Sequence, residues 1–233
     1  MKTMHIDDVL DRAHVVSLPL AVRFRGITTR EALLIEGPAG WGEFAPFLEY
    51  GPAESAAWLR AGIEAAYEGF PEPVRDSIEV NATIPAVPAS EVPALVERYP
   101  GCRTFKIKVA EKGHTLADDA ARVRAVRDTI TQRGEIPILR VDANGGWSVD
   151  EAVEAAQMMM PLDYMEQPCA TTEELAQVRG RLMRAGLFVR VAADESIRKV
   201  ADPYRVAELQ AADVAVVKPC LLYTSDAADE GLG

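Results

Sequence analysis

The sequence is 233 residues long, with 48% hydrophobic residues, 26% charged residues and a formal net charge of −11. These values are typical of a folded globular protein with a sizeable core and exclude a disordered chain. The negative charge would repel a phosphate backbone or an anionic membrane, so we expect neither nucleic acid nor membrane as a partner.

Three further features of the sequence indicate a cytoplasmic protein that acts on a small molecule. The three cysteines form an odd, scattered set, which favours a reducing compartment over a disulfide framework. The N-terminus has acidic residues where a signal peptide needs an apolar segment. No apolar stretch reaches the ~18 residues of a membrane span. The oligomeric state is left open.

Residues 1–77 are predicted to form short strands followed by a helix. The strand-like segments are HVVSLPLAVRFRG (14–26) and REALLIEG (30–37), and the Ala-rich segment 52–70 has helical periodicity. Between them, GPAGWG (37–42) resembles a phosphate loop in its glycine content. It lacks the Gly-Lys-Ser/Thr ending and a following helix start, so a hairpin turn is favoured.

From residue 78 onward, short apolar strands alternate with amphipathic helices. The six predicted strands are SIEVNATI, TFKIKV, PILRVDA, DYMEQ, FVRVAADE and DVAVVK. Helix starts between them are indicated by capping boxes at Ser148 and Thr171, and by a weaker version at Thr115. This alternation predicts a parallel sheet with helices packed outside it.

The strand TFKIKV has two lysines in an otherwise apolar run. Because side chains alternate between faces, Lys106 and Lys108 share one face and Phe105, Ile107 and Val109 share the other. Taken alone, this strand favours an exposed sheet face for the two lysines. Whether that face is exposed or buried depends on the other strands.

An ionisable residue lies at or near the C-terminal end of five successive strands, at intervals of 24 to 34 residues: Lys108, Asp142, Glu166, Asp194 and Lys218. In a (β/α) barrel these strand ends line one mouth, where catalytic residues lie. Each residue also has an ordinary alternative: a turn in VDANGG, a strand stopped by proline in YMEQP, a helix N-cap region in AADES, or an exposed edge at Lys218. The joint pattern favours convergence at one site.

The three acidic residues would form an all-oxygen site for a hard divalent cation. Carboxylates without Cys or His indicate Mg²⁺, with Mn²⁺ as a possible substitute. Such a cation stabilises the enediolate that forms when a carbon acid next to a carboxylate loses its proton. A lysine is a base for this step only if its pKa is depressed, and a neighbouring ammonium such as Lys106 beside Lys108 has that effect.

The motifs KIK, DAN, EQP, DES and VKP, in this order, resemble the enolase superfamily in its muconate-lactonising-enzyme subgroup. The stretch RFRGITTREALLIEGPAGWGEFAPFLEYG resembles the actinobacterial form of the o-succinylbenzoate synthase family. The resemblance extends from about residue 14 to residue 218. It implies an α/β protein in which an α+β capping domain, residues 1–77, covers an enolase-type (β/α) barrel.

The resemblance also implies a mechanism. Mg²⁺ would be held by Asp142, Glu166 and Asp194, and the reaction would be a syn elimination of water from a succinyl-hydroxycyclohexadiene carboxylate in menaquinone biosynthesis. Lys108 would remove the α-proton and then protonate the departing hydroxyl, while Lys218 stabilises the enediolate.

Two loops, Arg23–Thr29 and Phe44–Tyr50, would close over the succinyl arm. The alternative within the superfamily is an N-acylamino acid racemase or dipeptide epimerase, in which the same two lysines act as bases on opposite faces of the substrate.

The predicted barrel is incomplete. A whole one takes about 250 residues for eight strands, whereas residues 78–218 supply about six strands. Residues 219–233, PCLLYTSDAADEGLG, contain no further strand–helix unit. We interpret this tail as non-native, with a genuine short variant as the alternative. An inactive fragment is therefore a second hypothesis, and little dehydratase activity is expected from the chain at this length.

Overall fold

The structure, a computed structural model, describes residues 6–24, 27–70, 72–198 and 202–217. The described residues form two compact units, one ending at Ser77 and the other spanning Ile78–Val217. Within these ranges no helix has both the length and the apolar character needed to cross a membrane.

The first unit is an antiparallel three-stranded sheet with two helices. Its elements are α1 (Ile6–Leu10), β1 (Ala13–Phe24), β2 (Ile27–Gly37), β3 (Gly40–Phe44) and α2 (Pro52–Tyr67), and the strand order is β1-β2-β3. The predicted hairpin turn is confirmed, since Gly37 pairs with Gly40 across it. Strand β3 was not predicted, because its glycines obscure the alternation that marks a strand.

The glycines of the hairpin serve close packing against α2. A Cβ atom added to Gly42 would lie 1.8 Å from the carbonyl oxygen of Gly62, and one added to Gly37 would lie 2.1 Å from that of Ala66. Neither position therefore tolerates a side chain without movement of the backbone. This packing gives the glycine-rich segment a structural reason that requires no phosphate.

The second unit contains a parallel sheet of six strands in sequential order. The strands are β4 (Ala82–Ile84), β5 (Thr104–Lys108), β6 (Ile138–Asp142), β7 (Tyr164–Glu166), β8 (Arg190–Ala193) and β9 (Val214–Ala215). The prediction of six parallel strands is confirmed. The first strand is shorter than predicted, because only Ala82–Ile84 pairs with β5, and Ile78 and Val80 are exposed.

Helices connect the strands, as predicted. They are α3 (Val92–Val96), α4 (Leu116–Gln132), α5 (Val149–Met159), α6 (Thr172–Arg184) and α7 (Asp202–Glu208), with short 3₁₀ turns at Ala89–Glu91 and Glu195–Ile197. The capping boxes at Thr115, Ser148 and Thr171 are all present. Each box pairs two backbone N–H groups of the first helical turn with side chains, and so fixes where the helix begins.

The sheet has one apolar face and one polar face. Phe105 and Ile107 of β5 are fully buried, and they belong to one hydrophobic core with Val123 and Val126 of α4. Lys106 and Lys108 alternate with them and so point to the opposite face. Helices therefore cover the apolar face of the sheet, and its ionisable residues collect on the other face.

A buried ion pair joins α4 to the ends of two strands. Asp119 and Arg122 are each 1% exposed, and Arg122 Nη1 lies 2.7 Å from Asp119 Oδ1. Arg122 also donates to the carbonyl oxygens of Val87, at 2.6 Å, and Lys108, at 2.9 Å, and Asp119 accepts from the Ala110 amide at 2.8 Å. The pair thus fixes the backbone just after β4 and β5.

We expect Arg122→Met to lower the free energy of unfolding by about 3–5 kcal/mol, because it leaves a buried carboxylate without its cation. The double variant Asp119→Leu/Arg122→Met removes both charges and should lose clearly less. Urea unfolding followed by circular dichroism measures both. Equal losses in the single and double variants would contradict this account of the ion pair.

Candidate active site

The two lysines of β5 lie on a buried face, so the exposed-face alternative is wrong. Lys106 is 5% exposed, and the side chain of Lys108 retains 13% of its accessible surface. Buried ammonium groups require opposite charges nearby. The neighbouring strands supply those charges.

The strand register brings Lys108, Asp142 and Glu166 into one row, with Asp194 beside it. Lys108 is the Cα partner of Asp142 across β5 and β6, and Asp142 is the partner of Glu166 across β6 and β7. Glu166 pairs with Ala192, which places Asp194 two residues farther along, just after β8. The three carboxylate residues are 0–2% exposed. The C-terminal ends of adjacent strands thus meet on one edge, as the sequence predicted.

The lysine ammonium groups contact the carboxylates directly. Lys108 Nζ lies 3.0 Å from Asp142 Oδ2, and Lys106 Nζ lies 3.4 Å from the same oxygen. Lys106 Nζ is also 3.4 Å from Glu166 Oε1. Asp142 therefore contacts both lysines, and Lys106 links it to Glu166.

The chemistry of this donor set fits a hard divalent cation. Asp142, Glu166, Asp194 and the adjacent Glu195 bring four negative charges to this region. Lys106, Lys108 and Arg198, whose Nη2 lies 3.8 Å from Asp194 Oδ2, bring three positive charges. An additional cation would offset the excess, and carboxylate oxygens are the ligands that Mg²⁺ prefers. Among the described residues, no three Asp, Glu, His or Cys side chains already form a metal-ligating group.

Two polar residues beside the predicted ones extend the site. Asn144 accepts a hydrogen bond from Lys108 Nζ at 3.1 Å and donates one to Glu195 Oε1 at 3.2 Å. Its φ of 45° is a left-handed conformation, which asparagine tolerates better than most residues. Burial, followed by the charge of Asp194, raises the pKa of the Glu195 carboxyl. Both residues lie within the motifs DAN and DES, which were the available signal, but sequence reasoning had selected only their aspartates.

A second row of polar side chains lies two residues earlier along the same strands, on the same face of the sheet as the carboxylates. Arg140 is the Cα partner of both Lys106 and Tyr164. Its guanidinium carbon stands 4.8 Å from the centre of the Tyr164 ring, and its Nε is 2.9 Å from Asp163 Oδ2. Burial and, next, the charge of Glu166 raise the pKa of Tyr164 to about 12, so its phenol stays neutral near pH 7. The row completes the polar face beneath the carboxylates.

Two of the predicted features are not covered by the structure. Lys218 and the tail 219–233 lie outside the described residues, as do Arg25 and Gly26 of the predicted loop Arg23–Thr29. The assignment of Lys218 to the opposite face of a substrate therefore stays a prediction.

The chain matches two families of known proteins. Residues 15–66 match the family described as enolase N-terminal domain-like, and residues 89–222 match the family described as enolase C-terminal domain-like. The second match includes the row of lysines and carboxylates.

Curated relatives agree with these families. The chain is 57% identical over 216 residues to an o-succinylbenzoate synthase of Mycolicibacterium smegmatis, and 58% identical over 217 residues to one of Mycobacterium marinum. Each alignment covers 91% of this chain but only 64% and 63% of those proteins, respectively. The chain therefore spans less than two thirds of their length.

Solved structures share the fold. An o-succinylbenzoate synthase from Thermosynechococcus elongatus, with Mg in its active site, matches with a TM-score of 0.64 at 19% identity, over 89% of this chain and 75% of that one. The L-Ala-D/L-Glu epimerase of Bacillus subtilis matches with a TM-score of 0.62 at 23% identity, over 87% of this chain and 72% of that one. From its two domain matches and its sequential parallel sheet, the chain belongs to the enolase superfamily.

Proposed function

We propose that this chain contains the catalytic residues of an o-succinylbenzoate synthase. Such an enzyme is a carbon–oxygen lyase that removes water from a succinyl-hydroxycyclohexadiene carboxylate in menaquinone biosynthesis. The identity of 57–58% to curated mycobacterial o-succinylbenzoate synthases supports this substrate over the others used in the superfamily.

The proposed cofactor is Mg²⁺, held by Asp142, Glu166 and Asp194. These residues belong to three adjacent segments at one edge of the sheet, and all are buried. When bound, the cation would stabilise the negative charge that develops on the substrate carboxylate as the neighbouring carbon loses its proton.

Lys108 is proposed as the acid and base of the reaction. In its neutral form, Nζ would take the proton from the carbon next to the carboxylate. The electron pair left behind would form a carbon–carbon double bond as the C–OH bond breaks, and Lys108 would return the proton to the departing hydroxyl, which leaves as water. One group suffices for both transfers if the proton and the hydroxyl leave from the same side.

Lys106 is proposed to tune Lys108 and not to touch the substrate. Both ammonium groups contact Asp142 Oδ2, and Lys106 also contacts Glu166 Oε1, so Lys106 has a second counter-charge besides the one it shares with Lys108. The positive charge of Lys106 disfavours the protonated form of Lys108, and a base must be unprotonated. Lys218 is proposed to stabilise the same developing charge from the opposite side.

The single observation that carries the proposal is the row Lys108–Asp142–Glu166. A lysine that is 3.0 Å from a buried carboxylate, on neighbouring strand ends, places a proton-transfer group directly beside a candidate metal ligand. Acid–base groups of this kind contribute about 10²–10⁴-fold to a rate.

Turnover of the succinyl-hydroxycyclohexadiene carboxylate with and without Mg²⁺ tests the proposal. Because the chain spans 64% of the M. smegmatis relative, we would assay both the 233-residue chain and a version extended with the C-terminal remainder of that relative. We expect Mg²⁺-dependent dehydration in the extended version. Racemisation of N-acylamino acids or dipeptides without dehydration would overturn the proposal in favour of the racemase alternative.

A further inference from the structure

Gln167 occupies an unusual position in the second unit. Gln167 directly follows Glu166 and is fully buried, and its φ of 35° lies in the left-handed region. A residue with a long side chain adopts this conformation only when its surroundings hold it there, since the conformation costs of order 1–3 kcal/mol. The contacts of Gln167 show what holds it.

The Gln167 side chain bridges from the end of β7 to the segment after β8. Its Oε1 accepts hydrogen bonds from the amides of Asp194, at 3.0 Å, and Ser196, at 3.1 Å. Its Nε2 donates to the carbonyl oxygen of Cys169, at 2.9 Å, and to Ser196 Oγ, at 2.7 Å. All the hydrogen-bonding positions of the side-chain amide are therefore used.

The backbone of Gln167 forms hydrogen bonds to the loop after β6 and to β8. Its carbonyl oxygen accepts from the Gly145 amide at 2.7 Å, in the loop that follows Asp142. Its own amide donates to the Ala192 carbonyl oxygen at 2.8 Å. One residue thus touches the segments that bear Asp142, Glu166 and Asp194.

We propose that Gln167 is a positioning residue that holds these three segments in the relative arrangement needed to bind the cation. The inference rests on the proposed function, since it requires Asp142, Glu166 and Asp194 to be the metal ligands. Hydrogen-bond partners that orient ligands change metal affinity by about 10–100-fold when they are replaced. Gln167 acts through the backbone at Asp194 and not through contact with substrate.

Gln167→Met in the 233-residue chain tests this role, because methionine keeps the length of the side chain and removes its hydrogen bonds. We expect Mg²⁺ affinity, measured by calorimetry, to fall about 10–100-fold. Amide hydrogen exchange of Asp194 and Ser196, measured without metal, should become faster. The matched control is Gln177→Met on the exposed surface of α6, which should change neither quantity.

Gln167→Glu serves as the conservative variant, and it covers the case in which the methionine variant fails to fold. Its carboxylate still accepts from the Asp194 and Ser196 amides but cannot donate to the Cys169 carbonyl oxygen, so it removes only the donor half of the bridge. Exchange of the Asp194 and Ser196 amides should therefore stay close to that of the unaltered chain, and clearly faster exchange of both amides in a folded Gln167→Glu would contradict the role assigned to Gln167 Oε1. Unaltered amide exchange together with Mg²⁺ affinity within twofold in Gln167→Met would overturn the inference. If the unaltered chain binds no Mg²⁺ at millimolar concentrations while Gln167→Met still speeds exchange, the proposed metal site is wrong, and the metal-positioning role is overturned with it.

Discussion

Lys108→Arg is expected to abolish exchange of the substrate α-proton with solvent deuterium, with a loss of about 10²–10⁴-fold. Arginine keeps the positive charge but stays protonated, so it cannot accept the proton. Lys108 Nζ is held by Asp142 Oδ2 at 3.0 Å and Asn144 Oδ1 at 3.1 Å, and these acceptors suit a guanidinium as well as an ammonium. The loss would therefore report on proton transfer more than on lost attraction.

The measurement is proton NMR of the substrate in deuterium oxide, with the extended version of the chain and saturating Mg²⁺. Exchange isolates the first step from the departure of the hydroxyl. Lys112→Arg, on an exposed turn, makes the same chemical change away from the site and should exchange normally. Exchange by Lys108→Arg at the unaltered rate would show that another group is the base.

The row of site residues could be predicted because two simple geometric rules suffice for it. Strand alternation places Lys106 and Lys108 on one face, and parallel strands joined by helices bring their C-terminal ends to one edge. The observed register, with Lys108 opposite Asp142 and Asp142 opposite Glu166, follows from those rules. No knowledge of the connecting loops was needed.

The residues that support this row could not be predicted by the same rules. Gln167, Asp119 and Arg122 act on backbone groups, and any polar side chain nearby in space can do so. Which one does so depends on loop conformations that periodicity does not encode, such as the left-handed φ of 60° at Ala110 and 45° at Asn144. Sequence patterns identify residues that share a face of a strand or helix. They do not identify partners that are brought together by the conformation of a loop.

The lengths of the strands could not be predicted from the sequence either. The segment SIEVNATI alternates well, but only its last three residues pair with a neighbour. A β-pattern shows that a segment could join a sheet, whereas pairing depends on how far the adjacent strand extends. Strand β3 is the opposite case: its glycines do not show a strand pattern, yet the segment is a strand, and Gly42 allows it to pack closely against α2.

Asp142→Asn is expected to weaken Mg²⁺ binding by at least about 100-fold, since replacing an outer hydrogen-bond partner alone costs 10–100-fold. Asparagine keeps the size and one oxygen of the side chain, so the variant isolates the loss of charge. The effect should be large because Asp142 also contacts Lys106 and Lys108: without its carboxylate, the two ammonium groups oppose the incoming cation more strongly.

Calorimetric titration of the 233-residue chain with Mg²⁺ measures this effect, and circular dichroism verifies that the variant is folded. Asp150→Asn is the matched control, because that carboxylate side chain is 86% exposed and its removal gives the same change in net charge. General attraction between an acidic protein and a cation would make the two variants equal. A site built on Asp142 instead predicts loss of affinity in Asp142→Asn alone, and undiminished binding there would remove Asp142 from the set of metal ligands.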